Sequence, residues 1–262
     1  MPGILFDLDG VFYVGEQAIP GGMATLDWVR AENIPHLFLT NTSSRPRSAL
    51  VTKLAGFGID TDPAHILTPP VAARRWLRQN VSGCSVLFVS KATEAEFSSI
   101  PLISRDSAEP TAAVVIGDLG DGWDYATMNA AFRHLHTQPT PALVALGMTR
   151  FWCAEDGLRL DVGPIVEALR YASGVQPVVM GKPAPAFFEA ALDILGLPAT
   201  ETVMVGDDIR GDVGGAQNAG ITAVQVRTGK FQAADLLGDI RADAVIDSIA
   251  SLPNWWRTHY SG

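Results

Sequence analysis

Short β-branched runs alternate with longer helical stretches along most of this chain, and that alternation restricts the fold more than any other feature. Residues 4–6, 36–39, 86–89, 114–116, 143–146, 203–205 and 222–226 read as strands. Helical patterns at 22–32, 47–56, 70–79, 125–135, 164–172, 184–195 and 212–219 lie between many of them. Strand–helix alternation predicts an α/β fold built on a mainly parallel, doubly wound, Rossmann-like sheet. At 262 residues the chain is long for one compact domain and suits a main domain carrying a smaller one. Polar signals at strand ends gather near the two termini. The middle has its own strands and turn-rich segments at 104–111, 117–123 and 137–141, so it reads as an insertion into the outer fold. The expected division is core 1–80, inserted domain 81–176 and core 177–262. Trp255 and Trp256 read as packing for a last helix.

Several function classes are disfavoured. No apolar run approaches the roughly 18 residues needed to cross a bilayer, so no membrane partner is expected. The first apolar stretch is cut short by Asp7 and Asp9 and lacks a basic flank, unlike a secretory signal. A cytoplasmic location is the expectation. A net charge of −9 argues against nucleic acid, whose phosphates call for clustered Lys and Arg. Cys84 and Cys153 cannot form a disulfide framework, which fits a reducing compartment. His134 and His136 are two residues apart, so a helix would point them in different directions.

Four polar segments each follow an apolar strand, and in doubly wound sheets such strand ends converge on the ligand site. The first, Asp7-Leu8-Asp9-Gly10, offers two carboxylates and a glycine that lets the backbone turn. The second, Thr40-Asn41-Thr42-Ser43-Ser44, offers hydroxyls and backbone N–H groups to a phosphate, although Ser and Thr there also suit a helix cap. The third, Met180-Gly181-Lys182-Pro183, leads toward a helix expected to start at Ala184, which would set Lys182 at a positive helix end, where a cation is disfavoured unless an anion is also bound. It is not a Walker A loop, because no Gly precedes Gly181 by five residues and Pro183 replaces the Ser or Thr. The fourth, Gly206-Asp207-Asp208 followed by Gly211-Asp212-Val213, adds three carboxylates. Gathering Asp7, Asp9 and Asp207 at one point asks for a cation, and an all-oxygen donor set suits Mg²⁺.

The segments DLDG, LTNTSS, MGKP and VGDDIRGDVGGA, in that order, resemble the haloacid dehalogenase superfamily of phosphohydrolases. The long insert resembles the α/β cap of its NagD-like branch. Residues 156–164, with GDDIRGDVGGAQ and QVRTGKF, resemble the subgroup of phospholysine phosphohistidine inorganic pyrophosphate phosphatases and their relatives. The resemblance implies that Asp7 is the nucleophile, forming an aspartyl-phosphate, and that Asp9 is the general acid and base. It implies that Thr40 and Asn41 bind the phosphoryl group and that Lys182 offsets its charge. Asp7, Asp207 and the main-chain carbonyl of Asp9 would hold Mg²⁺, with Asp208 and Asp212 as outer or water-mediated contacts. The implied substrate is a small phosphorylated compound: a phosphomonoester, pyrophosphate or a phosphoamidate. A cap-mediated homodimer is common in similar proteins. Many NagD-like caps carry an Asn-x-Asp loop where this chain has Gly147-Met148-Thr149-Arg150, so substrate rules from those enzymes do not transfer directly. The competing readings are a phosphomutase on the same core and a non-catalytic phospho-ligand-binding pseudo-enzyme.

Overall fold

The computed structural model describes residues 2–154 and 156–260. Its larger sheet has six parallel strands in the order Ala244–Ile246, Thr222–Val226, Thr202–Gly206, Gly3–Asp7, His36–Leu39, Ile66–Leu67. The two central strands, Gly3–Asp7 and Thr202–Gly206, are buried along their whole length, as expected where helices cover both faces of a parallel sheet. That is why these strands are continuous apolar runs rather than alternating ones. Phe6, Phe12 and Phe38 meet in the core beneath, with centroids 5.4 to 6.1 Å apart and two of the contacts edge-on. The last helix, Leu252–Tyr260, buries Trp256 against Trp28.

The chain divides into two compact units. The first comprises Met1–Thr40, Arg47–Leu67 and Lys182–Gly262 and contains the six-stranded sheet. The second comprises Asn41–Pro46 and Thr68–Gly181. It has a five-stranded parallel sheet in the order Pro177–Val179, Ala142–Ala145, Ala113–Ile116, Ser85–Phe88, Leu102–Ile103. The helices Tyr125–Leu135 and Val162–Ser173 contribute to its core beside Val114, Ile116, Leu143 and Ala145. Aspartates cap both helices: Asp124 accepts from the Thr127 N–H and Asp161 from the Val162 N–H. A separate antiparallel pair, Phe151–Ala154 with Gly157–Leu160, completes the unit.

The strands read from sequence are present, and among the described residues eight shorter or edge strands were not legible. The pair Tyr13–Val14 and Gln17–Ala18 is two residues a side, too short for a period to show. Pro177–Val179 is an edge strand opened by a proline. Three helix starts differ by one or two residues, at Pro69, Val162 and Pro185. Pro185, rather than Ala184, is the first residue of the helix Pro185–Leu195, with Ala184 as an extended cap. Lys182 therefore lies outside the helix end, and its charge is met by side chains instead. His134 is buried, with Nε2 2.9 Å from the Arg105 carbonyl, while His136 is exposed. Cys84 is a free thiol, and the side chain of Cys153 lies outside the described residues. Among the described residues no helix is long and apolar enough to cross a membrane.

Candidate active site

Parallel register brings the polar segments of the first unit to one end of its sheet. Asp7 pairs with Leu39, so Thr40 lies one residue beyond it on one side. Phe6 pairs with Val205 on the other side, which sets Gly206 and Asp207 past the same edge. Thr40 is buried at its strand end. After Asp207 the backbone enters a π-helical turn, Ile209–Gly214, which winds Asp212 back toward the strand. Asp212 Oδ2 accepts the N–H groups of Asp207 and Asp208, both at 3.1 Å.

Lys182 binds two of these carboxylates. Its Nζ is 2.5 Å from Asp7 Oδ1 and 2.6 Å from Asp212 Oδ1, and all three side chains are at least nine-tenths buried. Asp7, Asp207 and Asp212 each bring one carboxylate oxygen within 4.8 Å of the others. Asp207 Oδ2 accepts the Lys230 backbone N–H at 2.6 Å, whereas Asp207 Oδ1 is buried with no hydrogen-bond partner among the described residues. Asp208 caps the turn, accepting from Arg210 and Gly211, and its Oδ2 lies 3.1 Å from Lys230 Nζ.

The cluster is electrostatically strained. Burial, followed by the charge of Asp212, pushes the Asp7 carboxyl up to about 8 despite the neighbouring Lys182. Burial pushes Asp207 up to about 6, the Lys230 N–H opposing this and the Asp212 charge adding to it. Burial alone would lower Lys182, but Asp212 and Asp7 raise it above its ordinary value. Burial also opposes ionisation of Asp208, yet the Gly211 N–H and the Lys230 ammonium hold it below the usual carboxylate range. Three carboxylates against one ammonium, an all-oxygen donor set and an orphaned buried oxygen on Asp207 fit a small divalent cation.

The structure thus gathers Asp7, Lys182, Asp207, Asp208 and Asp212, with Thr40 at the adjoining strand end. Asp212, read from sequence as an outer or water-mediated contact, has its carboxylate inside the cluster, because the π-turn carries it there. The Asp9 side chain is exposed and is not part of the carboxylate group. Asn41 is exposed and begins the second unit. In that unit Arg150 is exposed and Met148 is partly buried against the core. Sequence reasoning gave no chemical role to Thr228-Gly229-Lys230. Thr228 Oγ1 donates to the Gly10 carbonyl at 2.5 Å, and the Lys230 N–H reaches Asp207. The only signal was the QVRTGKF wording, whose contribution here is chiefly through backbone groups.

Two family models match segments of the chain. Residues 4–99, which include Asp7, Asp9 and Thr40, match the model of the haloacid dehalogenase-like hydrolase family. Residues 179–252, which include Lys182, Asp207 and Asp212, match a second, HAD-hydrolase-like model. The chain is 39% identical over 253 residues to the phospholysine phosphohistidine inorganic pyrophosphate phosphatase of Bos taurus, covering 95% of this chain and 91% of that one. The chain belongs to the haloacid dehalogenase-like hydrolases. This hydrolase is a phosphatase. It is 26% identical to the p-nitrophenyl phosphatase of Archaeoglobus fulgidus, with a TM-score of 0.86 over 97% of this chain and 98% of that one. It shares its fold with NagD from E. coli K-12, at a TM-score of 0.84 and 22% identity over 95% of this chain and 97% of that one.

Proposed function

We propose that this phosphatase is Mg²⁺-dependent and works through a covalent aspartyl-phosphate on Asp7. The observation that carries the reading is the buried Asp7–Lys182–Asp212 bridge beside the orphaned oxygen of Asp207. A divalent cation held by Asp7 and Asp207, with Asp212 close by, would supply the positive charge that favours ionised Asp7 and offsets phosphoryl charge. The carbonyl of Asp9 is a further donor in this proposal. Lys182 fixes the rotation of the Asp7 carboxylate through Oδ1 and remains beside it as charge gathers around phosphorus. Asp7 attacks phosphorus and the leaving group departs with a proton from Asp9. Asp9 then takes a proton from the water that cleaves the acyl phosphate. Its exposed side chain can exchange protons with solvent between the two steps. Thr40, with the backbone of Asn41, binds the phosphoryl oxygens. Asp208 acts indirectly, by capping the turn that carries Asp212.

The substrate is a small phosphorylated compound, with pyrophosphate and phosphoamidates within range. The name of the Bos taurus relative, which specifies phospholysine, phosphohistidine and inorganic pyrophosphate, supports that range. The second unit is proposed as the α/β cap. The chain leaves the first unit after Thr40 and after Leu67 and re-enters it at Arg47 and at Lys182, so the first and last of these junctions adjoin residues of the proposed site. A phosphate-release panel of p-nitrophenyl phosphate, sugar phosphates, nucleotides, pyridoxal phosphate, pyrophosphate and phospholysine, run with Mg²⁺ and with chelator, tests the proposal. Mg²⁺-dependent release from one or more small compounds is expected. Full activity in excess chelator, or better turnover of intact phosphoproteins than of every small compound, would overturn it.

A further inference from the structure

We propose that the turn Thr228-Gly229-Lys230 is a positioning element that aims the free oxygen of Asp207 at the cation site. The inference rests on the proposed role of Asp207 as a metal ligand. Asp207 has two carboxylate oxygens with opposite fates. Oδ2 is tied by the Lys230 backbone N–H at 2.6 Å, and Oδ1 is left buried without a hydrogen bond among the described residues. A carboxylate tied at one oxygen cannot rotate freely, so the untied oxygen keeps its direction. The turn is itself anchored. The Thr228 hydroxyl donates to the Gly10 carbonyl at 2.5 Å, which joins the turn to the loop that carries Asp9.

Two glycines make this approach possible. Gly10 has φ +85° and Gly229 φ +62°, both in the left-handed region that side chains disfavour. A Cβ on either residue would overlap the same atom, Asp207 Oδ2. Backbone from two distant segments therefore closes on one oxygen. Neither the exposed Lys230 ammonium nor the carbon chain of Thr228 is required for this. The element works through one N–H, one hydroxyl and the absence of two side chains. Thr228 and Gly229 touch no reacting atom, so their effect is exerted through Asp207.

The experiment measures Mg²⁺ affinity by isothermal titration calorimetry on the full chain, alongside the melting temperature of the chelated protein. Thr228→Val, Thr228→Ser, Gly229→Ala and Asp207→Asn are compared with wild type. Loss of a group that orients a metal ligand weakens metal affinity by about 10- to 100-fold. Thr228→Val and Gly229→Ala are expected to weaken Mg²⁺ binding by at least about tenfold, and Thr228→Ser to restore it to within about threefold. At saturating Mg²⁺ the KM for p-nitrophenyl phosphate stays at the wild-type value. A purely structural role predicts the reverse, a lower apo melting temperature with unchanged Mg²⁺ affinity in the folded protein, and that result overturns the proposal. Should Gly229→Ala fail to fold, the Thr228→Val and Thr228→Ser pair decides alone. If Asp207→Asn loses Mg²⁺ while both turn variants keep wild-type affinity, the turn has no positioning role and the metal reading stands. If Asp207→Asn itself keeps wild-type affinity, the metal reading fails and the positioning role fails with it.

Discussion

Asp207→Asn should make the metal-free protein more stable at neutral pH and the Mg²⁺-loaded protein less so. The three clustered carboxylates lie within 4.8 Å of one another, and at an effective dielectric near 20 each like-charged pair at that distance costs about 3.5 kcal/mol. The raised pKa of Asp207 gives a second figure. A carboxyl that titrates near 6 in the folded state, against an ordinary 3.8, costs about 3 kcal/mol to keep ionised. Between about pH 4 and pH 6 the folded wild type binds more protons than the unfolded chain, so its stability falls as pH rises through that window. Below the window both states are protonated and the penalty is absent; above it the full penalty applies. The amide cannot ionise, and its oxygen can still accept the Lys230 N–H. The metal-free variant should therefore match wild type near pH 4 and exceed it by about 2–3 kcal/mol above pH 7, or about 5–10 °C for a protein of this size. Mg²⁺ at about a hundred times its dissociation constant would then stabilise wild type by about 2.7 kcal/mol and the variant by much less. Calorimetric melting of both proteins, with chelator and with Mg²⁺, from about pH 4.5 to pH 8, reads this directly. A chelated variant that melts below wild type at pH 7.5, or a difference that does not change with pH, would refute the reasoning.

Three further outcomes are expected. Lys182→Ala should lower kcat by about 10²- to 10³-fold with little change in KM, since its charge is needed most as negative charge gathers around phosphorus; steady-state kinetics with p-nitrophenyl phosphate check it, and an unchanged kcat would remove Lys182 from the machinery. Activity should vanish in chelator and return with Mg²⁺ but poorly with Ca²⁺, whose looser and larger coordination suits this carboxylate group less; rescue by Zn²⁺ alone would point to a different metal. Phe38→Ala should cost about 3–5 kcal/mol, because Phe38 is fully buried against Phe6 and Phe12; a urea midpoint shifted at constant slope checks it.

The parallel core was legible because buried parallel strands are continuous apolar runs, and the polar segments that end them were visible as abrupt changes of residue type. Asp7, Lys182 and Asp207 could therefore be picked out from sequence. The place of Asp212 could not, since a π-turn differs from an α-helical start by a displacement that side-chain periodicity does not encode. The Lys230 contact was hidden for a related reason. Its amide does the work, and a backbone N–H leaves no signature in residue identity. Edge strands such as Pro177–Val179 and the two-residue pairs are too short or too interrupted for a period of two to register. The start of Pro185–Leu195 was displaced because two prolines, Pro183 and Pro185, both suit a first helical turn, and local preference does not choose between them.

In the proposed mechanism Asp7 carries the phosphoryl group, and that bond can be trapped. Enzyme mixed with excess substrate and Mg²⁺ is quenched within one turnover, reduced with borohydride and mapped by mass spectrometry. An acyl phosphate is converted to the alcohol by this treatment, so the account predicts homoserine at position 7 alone, lost in Asp7→Asn together with turnover. A reduced residue at another position, or Asp7→Asn activity within about tenfold of wild type, equivalent to less than about 1.4 kcal/mol of the barrier, would contradict it.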